Sequence, residues 1–201
     1  MNIPNKLTII RILLVPVLLV VLAARFPIPS WVTQVIASSV FLAASLTDLF
    51  DGKIARKRGL ITDFGKFMDP LADKFLVFAA LLGILFRYDG GEAGFGDLRP
   101  VFIWAAAIVI FRELAVTSLR LVIAGKDGIV IAASMLGKIK TTTQMVCIMT
   151  IFLEPAIFSW FKPFGEWHIL SYVTIGAMTI MTLWSGIDYI AHYWKYIDPS
   201  N

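Results

Sequence analysis

Four aspartates stand close together in an otherwise oily sequence: Asp48 and Asp51, then Asp69 and Asp73. On a helix, residues three apart lie within about 60° of one another, so Asp48 and Asp51 share a face. Gly65, Asp69 and Asp73 recur at steps of four and drift by only about 40° per step. Gly52 and Ala55 leave the first surface with almost no side-chain bulk. Two helices joined by a loop of about ten residues are antiparallel neighbours, so the four carboxylates are expected to face each other across a cleft. An aspartate inside a membrane helix costs about 2.5–3.5 kcal/mol on insertion scales, and clustered carboxylates also repel. Divalent cations offset both penalties. Carboxylate oxygens select hard ions such as Mg²⁺ or Mn²⁺, and four carboxylates shared between two of them make a two-metal site. Magnesium prefers to keep waters or to take phosphate oxygens, so a phosphate-bearing substrate is the natural partner. Gly52, Ala55 and Gly65 leave room for it, and Arg56 is placed to neutralise its charge.

Taken singly, each of these residues has a plainer reading. Asp48 or Asp63 alone reads as a helix cap or a solvated charge at an interface. Arg56-Lys57-Arg58 alone reads as an ordinary basic loop. The set of four at matched spacing, with small residues between, is what the plain readings do not cover. Asp63 falls off the pattern and reads as loop or cap. Pro70 is expected to kink the helix beside the site.

The elements that must position these residues are membrane helices. Hydrophobic residues make up 58% of the 201 and charged residues 16%, with a mean hydropathy of +0.80. Soluble domains run at roughly 45–50% apolar. The composition therefore predicts an all-α integral membrane protein. At roughly 20 residues per span, the sequence predicts six spans, near 7–24, 30–49, 67–87, 100–124, 134–152 and 169–194. There is no internal repeat or low-complexity tract, so one domain over 1–201 is expected. The single cysteine, Cys147, excludes an internal disulfide framework.

The basic balance, with a pI near 9.3, is accounted for by loops rather than by a nucleic-acid partner. With the N-terminus inside, the inner loops and flanks carry Lys6, Lys53, Arg56, Lys57, Arg58, Lys66, Lys126, Lys138, Lys140 and Lys195. The outer ones carry Arg25, Arg87, Arg99 and Lys162. This asymmetry predicts a six-helix bundle with both termini cytoplasmic. Trp31, Trp160 and Trp167 near the outer ends and Trp194 near an inner end fit interfacial belts. The first segment has a basic start and an apolar run like a signal peptide, but Arg11 interrupts it. The acidic, glycine-rich stretch 89–97 reads as a solvated loop rather than a calcium site.

The pattern Asp48-x-x-Asp51-Gly52-x-x-Ala55-Arg56, then eight residues, then Gly65-x-x-x-Asp69-x-x-x-Asp73, resembles the signature of the CDP-alcohol phosphotransferases. Every defining position and both spacings agree. The resemblance implies six spans with cytoplasmic termini and a divalent-metal enzyme that moves a substituted phosphoryl group from a CDP-linked donor to an alcohol, releasing CMP. It implies that Asp73, besides binding metal, is the base, and that Gly52, Ala55, Arg56 and Gly65 serve the CDP donor. Within that family, "IPNKLTIIR", "FRELAVTSLR" at 111–120 and "GKIKTTTQ" at 137–144 are similar to the branch that uses CDP-diacylglycerol as donor and sn-glycerol 3-phosphate as acceptor. A homodimer in the cytoplasmic membrane, with its active site facing the cytoplasm, is also implied.

The acceptor has some support from the residues themselves. Arg112 and Arg120 lie in the fourth span, and Lys138 and Lys140 open the fifth. Arginine in a span normally faces the bundle interior and marks a substrate path, and a dianionic phosphate needs such a pocket. The alternative is that Arg112 pairs with Glu113 while the lysines snorkel to the surface. His168 and His192 read as interfacial. Other acceptors, such as serine, inositol phosphate or a phospholipid, stay open. So do two other classes. A divalent-cation transporter would use the aspartates as an ion path, yet it leaves Gly52, Ala55 and Arg56 unexplained and prefers midplane sites. An intramembrane prenyltransferase has no need of the Asp-Gly-x-x-Ala-Arg continuation.

Overall fold

A computed structural model describes residues 3–58, 63–87, 98–127, 135–158 and 168–197. The side chains of 3–4, 49–58, 63–64, 66–67, 124–127, 158 and 195–197 lie outside the described part. These residues form six helices: α1 (Ile3–Ala23), α2 (Ser30–Arg58), α3 (Asp63–Arg87), α4 (Arg99–Asp127), α5 (Met135–Phe158) and α6 (Ile169–Ile197). Local chemistry sets several of their ends. Pro27 and Pro29 follow α1 and cannot extend it. The Pro29 carbonyl then accepts the Val32 amide at 3.0 Å as α2 begins. Glu154 of α5 caps α6, its carboxylate taking the amides of Leu170 at 2.9 Å and Ser171 at 2.8 Å as well as the Ser171 hydroxyl. Those amides are the unsatisfied donors of a helix start, where negative charge is favoured.

Four helices contain segments long and apolar enough to cross a membrane: Asn5–Ala23, Ser30–Asp48, Arg99–Ile123 and Ile169–Trp194. The other two carry polar residues in the turns that matter most here. Lys66, Asp69, Asp73 and Lys74 open α3, and Lys138, Lys140 and Gln144 open α5. The outer surface is apolar, with Phe111 76%, Trp104 74% and Ile187 67% exposed. Large side chains held out in this way suit lipid rather than water. Polar side chains turn inward instead, where Ser45 and Thr47 bond the carbonyls of Phe41 and Ala44 at 2.8 and 2.7 Å.

The sequence reading ended the second span near 49, but α2 runs on to Arg58. Its 29 residues make about 44 Å of helix at about 1.5 Å each, against a hydrocarbon layer of about 30 Å. The motif therefore occupies a continuous helical extension, and the connection to α3 is confined to 59–62 rather than about ten residues. Pro70 lies inside α3 and Pro155 inside α5, which outlasts the expected fifth span by six residues. His168 is buried at 3% exposure with φ 42°, immediately before α6, and is not an interfacial side chain. Trp160, Trp167 and the loop 89–97 lie outside the described residues.

The core is built around α1. This helix packs against both α2 and α3, which touch each other far less. Leu18 and Leu22 of α1 are buried with Phe41 of α2 and Leu76, Leu81 and Ile84 of α3. Phe41 also meets Phe152 of α5 edge-on at 6.5 Å, while α4 and α5 pack on α6. Gly83 is required at the α1–α3 crossing, because a Cβ there would run into the Leu22 side chain. Gly83→Ala gains about 1 kcal/mol of helix propensity, but overpacking costs about 1–3 kcal/mol. A net loss of thermal stability is expected, relieved when Leu22→Ala is added. A rise in melting temperature for the single variant would contradict this packing.

Candidate active site

The structure brings the first helix into the aspartate cluster. Thr8 and Arg11, three residues apart on one face of α1, are both buried. Arg11 is fully buried, and its Nη1 lies 2.8 Å from Oδ1 of Asp48. Its Nε donates to the Thr47 hydroxyl at 3.4 Å. The Thr8 hydroxyl donates to Oδ1 of Asp69 at 2.6 Å. So α1 ties one carboxylate of α2 and one of α3. The sequence reading used Arg11 only as an interruption of an apolar run. A Thr-x-x-Arg face inside a membrane span was the signal that could have found it.

Gly65 is buried at the start of α3, and Asp69 and Asp73 are both partly buried one and two turns further on. Asp73 lies within electrostatic reach of Asp48 and Arg11 and also of Lys140 and Glu113. The side chains of Asp51, Ala55 and Arg56 lie outside the described residues; Gly52 sits with them on the α2 extension. Among the described residues no three acidic, histidine or cysteine side chains converge on one point. The oxygens present are nevertheless already held by cationic or donor groups, a guanidinium on Asp48 and a hydroxyl on Asp69. An all-oxygen, acidic donor set of this kind suits Mg²⁺ or Mn²⁺.

The second group lies between α4 and α5. Glu113 accepts Lys140 Nζ in a short contact and Arg112 Nη1 at 3.4 Å. Arg112 pairs with its neighbour, as the plainer sequence reading had it, but the pair is shared with Lys140, which is itself buried. Lys140 therefore does not snorkel to the surface. Gly186 of α6 makes room for the arginine, since a Cβ there would sit 3.1 Å from Arg112 Cγ. Arg120 is exposed, with its guanidinium 5.4 Å from the ring centre of Tyr189, within cation–π range. It lies within electrostatic reach of Arg112. Lys138 is exposed at the start of α5. Of the four cations singled out in the sequence, Arg112 and Lys140 are joined through Glu113, Arg120 stands beside them on Tyr189, and Lys138 faces outward. Glu113 and Tyr189 carry roles the sequence reading did not assign.

The bundle holds this aspartate motif at the end of α2 and the start of α3, beside helices long and apolar enough to cross a membrane. The chain belongs to the CDP-alcohol phosphatidyltransferase family, whose pattern matches residues 1–187. It is 39% identical over 211 residues to a Bacillus subtilis protein named CDP-diacylglycerol--glycerol-3-phosphate 3-phosphatidyltransferase, covering 100% of this chain and 99% of that one. Proteins of the same name from Salmonella typhimurium and Pseudomonas fluorescens are 34% and 32% identical, covering 94% and 98% of this chain and 93% and 92% of theirs.

Proposed function

We propose that this protein transfers the phosphatidyl group of CDP-diacylglycerol to sn-glycerol 3-phosphate, giving phosphatidylglycerophosphate and CMP. The relatives' shared name supports the substrates. The observation that carries the reading for this chain is the position of Asp73, electrostatically linked both to Asp48 and to Lys140. A base at such a junction can serve a donor held on one side and an anionic acceptor held on the other.

In this reading Asp48, Asp51, Asp69 and Asp73 would hold two Mg²⁺ or Mn²⁺ ions. When bound, the ions supply Lewis-acid neutralisation of the donor pyrophosphate and of the leaving CMP. Gly52, Ala55 and Gly65 leave the donor room, and Arg56 offsets its charge. Arg112, Lys140 and Arg120 orient the acceptor phosphate by charge-assisted hydrogen bonds, with Lys138 at the outer edge of that pocket. The carboxylate of Asp73 takes the proton of the acceptor's primary hydroxyl. That oxygen forms its bond to the phosphorus bearing diacylglycerol as the bond from that phosphorus to the CMP oxygen breaks. The acyl chains leave the site sideways into lipid.

The proposal includes six spans in one domain over the whole chain, in the cytoplasmic membrane. Both termini and the site lie on the cytoplasmic side, as the basic-residue asymmetry supports. The homodimer that the family resemblance implies belongs to it as well. The test is product analysis by purified protein given CDP-diacylglycerol and a panel of acceptors. Phosphatidylglycerophosphate formed only with sn-glycerol 3-phosphate is expected. Efficient use of serine or inositol phosphate instead would overturn the acceptor assignment.

A further inference from the structure

We propose that Arg11 is a resident counter-ion of the aspartate cluster and competes with the divalent cation for Asp48. The inference rests on the metal-binding reading of the cluster and adds a residue to it. A guanidinium with no solvent exposure must be paired, because an uncompensated buried charge is strongly destabilising. Asp48 is a carboxylate partner, at 2.8 Å, and Nε is turned to Thr47 beside it. Asp48 itself is different, with 38% of its side chain exposed. One end of the pair is thus fixed in the helix packing of α1, and the other is open to an incoming ion. Arg11 also lies within electrostatic range of Asp73. In the metal-free protein this positive charge, like that of Lys140, offsets the mutual repulsion of the carboxylates. When a divalent ion binds, guanidinium and metal share the same acidic cluster at low dielectric, and the repulsion between them weakens binding. Arg11 is therefore a positioning residue that trades ion affinity for stability of the metal-free site.

The sign of the effect separates this role from simple support. Were Arg11 only a strut holding Asp48 in place, its removal would weaken ion binding. As a competitor, its removal tightens it. The measurement is Mn²⁺ binding to the full-length protein in nanodiscs without substrates, read by the paramagnetic resonance of free Mn²⁺, together with thermal melting with and without the ion. Arg11→Gln is expected to bind Mn²⁺ about tenfold more tightly. It is also expected to melt at lower temperature than wild type without metal, and to gain more from adding the ion. Arg11→Lys keeps the charge but loses the planar fork that matches a carboxylate, so a smaller tightening, about threefold, is expected. If the glutamine variant does not fold, the lysine variant carries the test. Equal or weaker Mn²⁺ binding in the variant that folds would overturn the proposal while leaving the metal site intact. Absence of Mn²⁺ binding by the wild type would overturn both.

Discussion

Asp73→Asn is expected to lower turnover by at least about 10²–10⁴-fold, the range of a lost general base, while CDP-diacylglycerol binding survives better than in the other aspartate variants. The reason is that Asp73 lies within electrostatic reach of both charged groups of the site. Asp48→Asn, Asp51→Asn and Asp69→Asn should each cripple activity too, because each removes charge needed to hold the ion. Their stabilities should differ. Asp69→Asn keeps a side-chain oxygen to accept the Thr8 hydroxyl now 2.6 Å from Oδ1, so its metal-free melting temperature should stay close to wild type. Asp48→Asn leaves the buried guanidinium of Arg11 without the carboxylate 2.8 Å away. Breaking fully buried pairs costs about 3–5 kcal/mol, and the partial exposure of Asp48 reduces that, so a clear but smaller loss is expected. The checks are CMP release, donor binding and metal-free melting of the same four proteins. Near-normal turnover in Asp73→Asn would remove it from the role of base.

The second large effect concerns the acceptor. Charge-assisted hydrogen bonds are worth roughly 1.5–3 kcal/mol each, and about 1.4 kcal/mol is a decade in affinity. Arg112→Ala and Lys140→Ala should therefore each lower kcat/KM for sn-glycerol 3-phosphate by on the order of 10- to 100-fold. The KM for CDP-diacylglycerol should move much less. Arg120→Ala is expected toward the lower end of that range, since its guanidinium is exposed over Tyr189, and Lys138→Ala, exposed in the structure, should be smaller still. Steady-state kinetics with each substrate varied in turn decides the matter. Equal damage to both substrates would mean that Arg112 and Lys140 serve only to bury Glu113 among charges.

The parts of this arrangement that were legible in the sequence are those with a short repeat. Apolar runs located all six helices, and four of them hold a segment long and apolar enough to cross a membrane. The three- and four-residue steps of Asp48, Asp51, Asp69 and Asp73 pointed to a candidate site, because helix geometry turns spacing into a shared face. What the sequence could not give was which helix packs between which others. The role of α1 depends on contacts between Leu22 and Gly83, far apart in the chain, and so do the pairings of Thr8 with Asp69 and Arg11 with Asp48. Likewise Glu113 looked like a simple partner of adjacent Arg112. Only the fold, with α4 and α5 both packed on α6, brings Lys140 onto the same carboxylate. The length of α2 was underestimated because the apolar signal ends near Asp48, whereas the helix continues through the polar motif to Arg58.

The central claim is that the aspartate cluster uses a divalent ion to pass a phosphatidyl group from CDP-diacylglycerol to sn-glycerol 3-phosphate. Its most direct test is CMP release by the purified protein after exhaustive chelation, with Mg²⁺ or Mn²⁺ then titrated back in the presence and absence of the acceptor. No release is expected in chelator. Full recovery is expected when both ion and sn-glycerol 3-phosphate are present, and little when the ion is added alone. Undiminished CMP release in chelator, or release equally fast without the acceptor, would contradict the account.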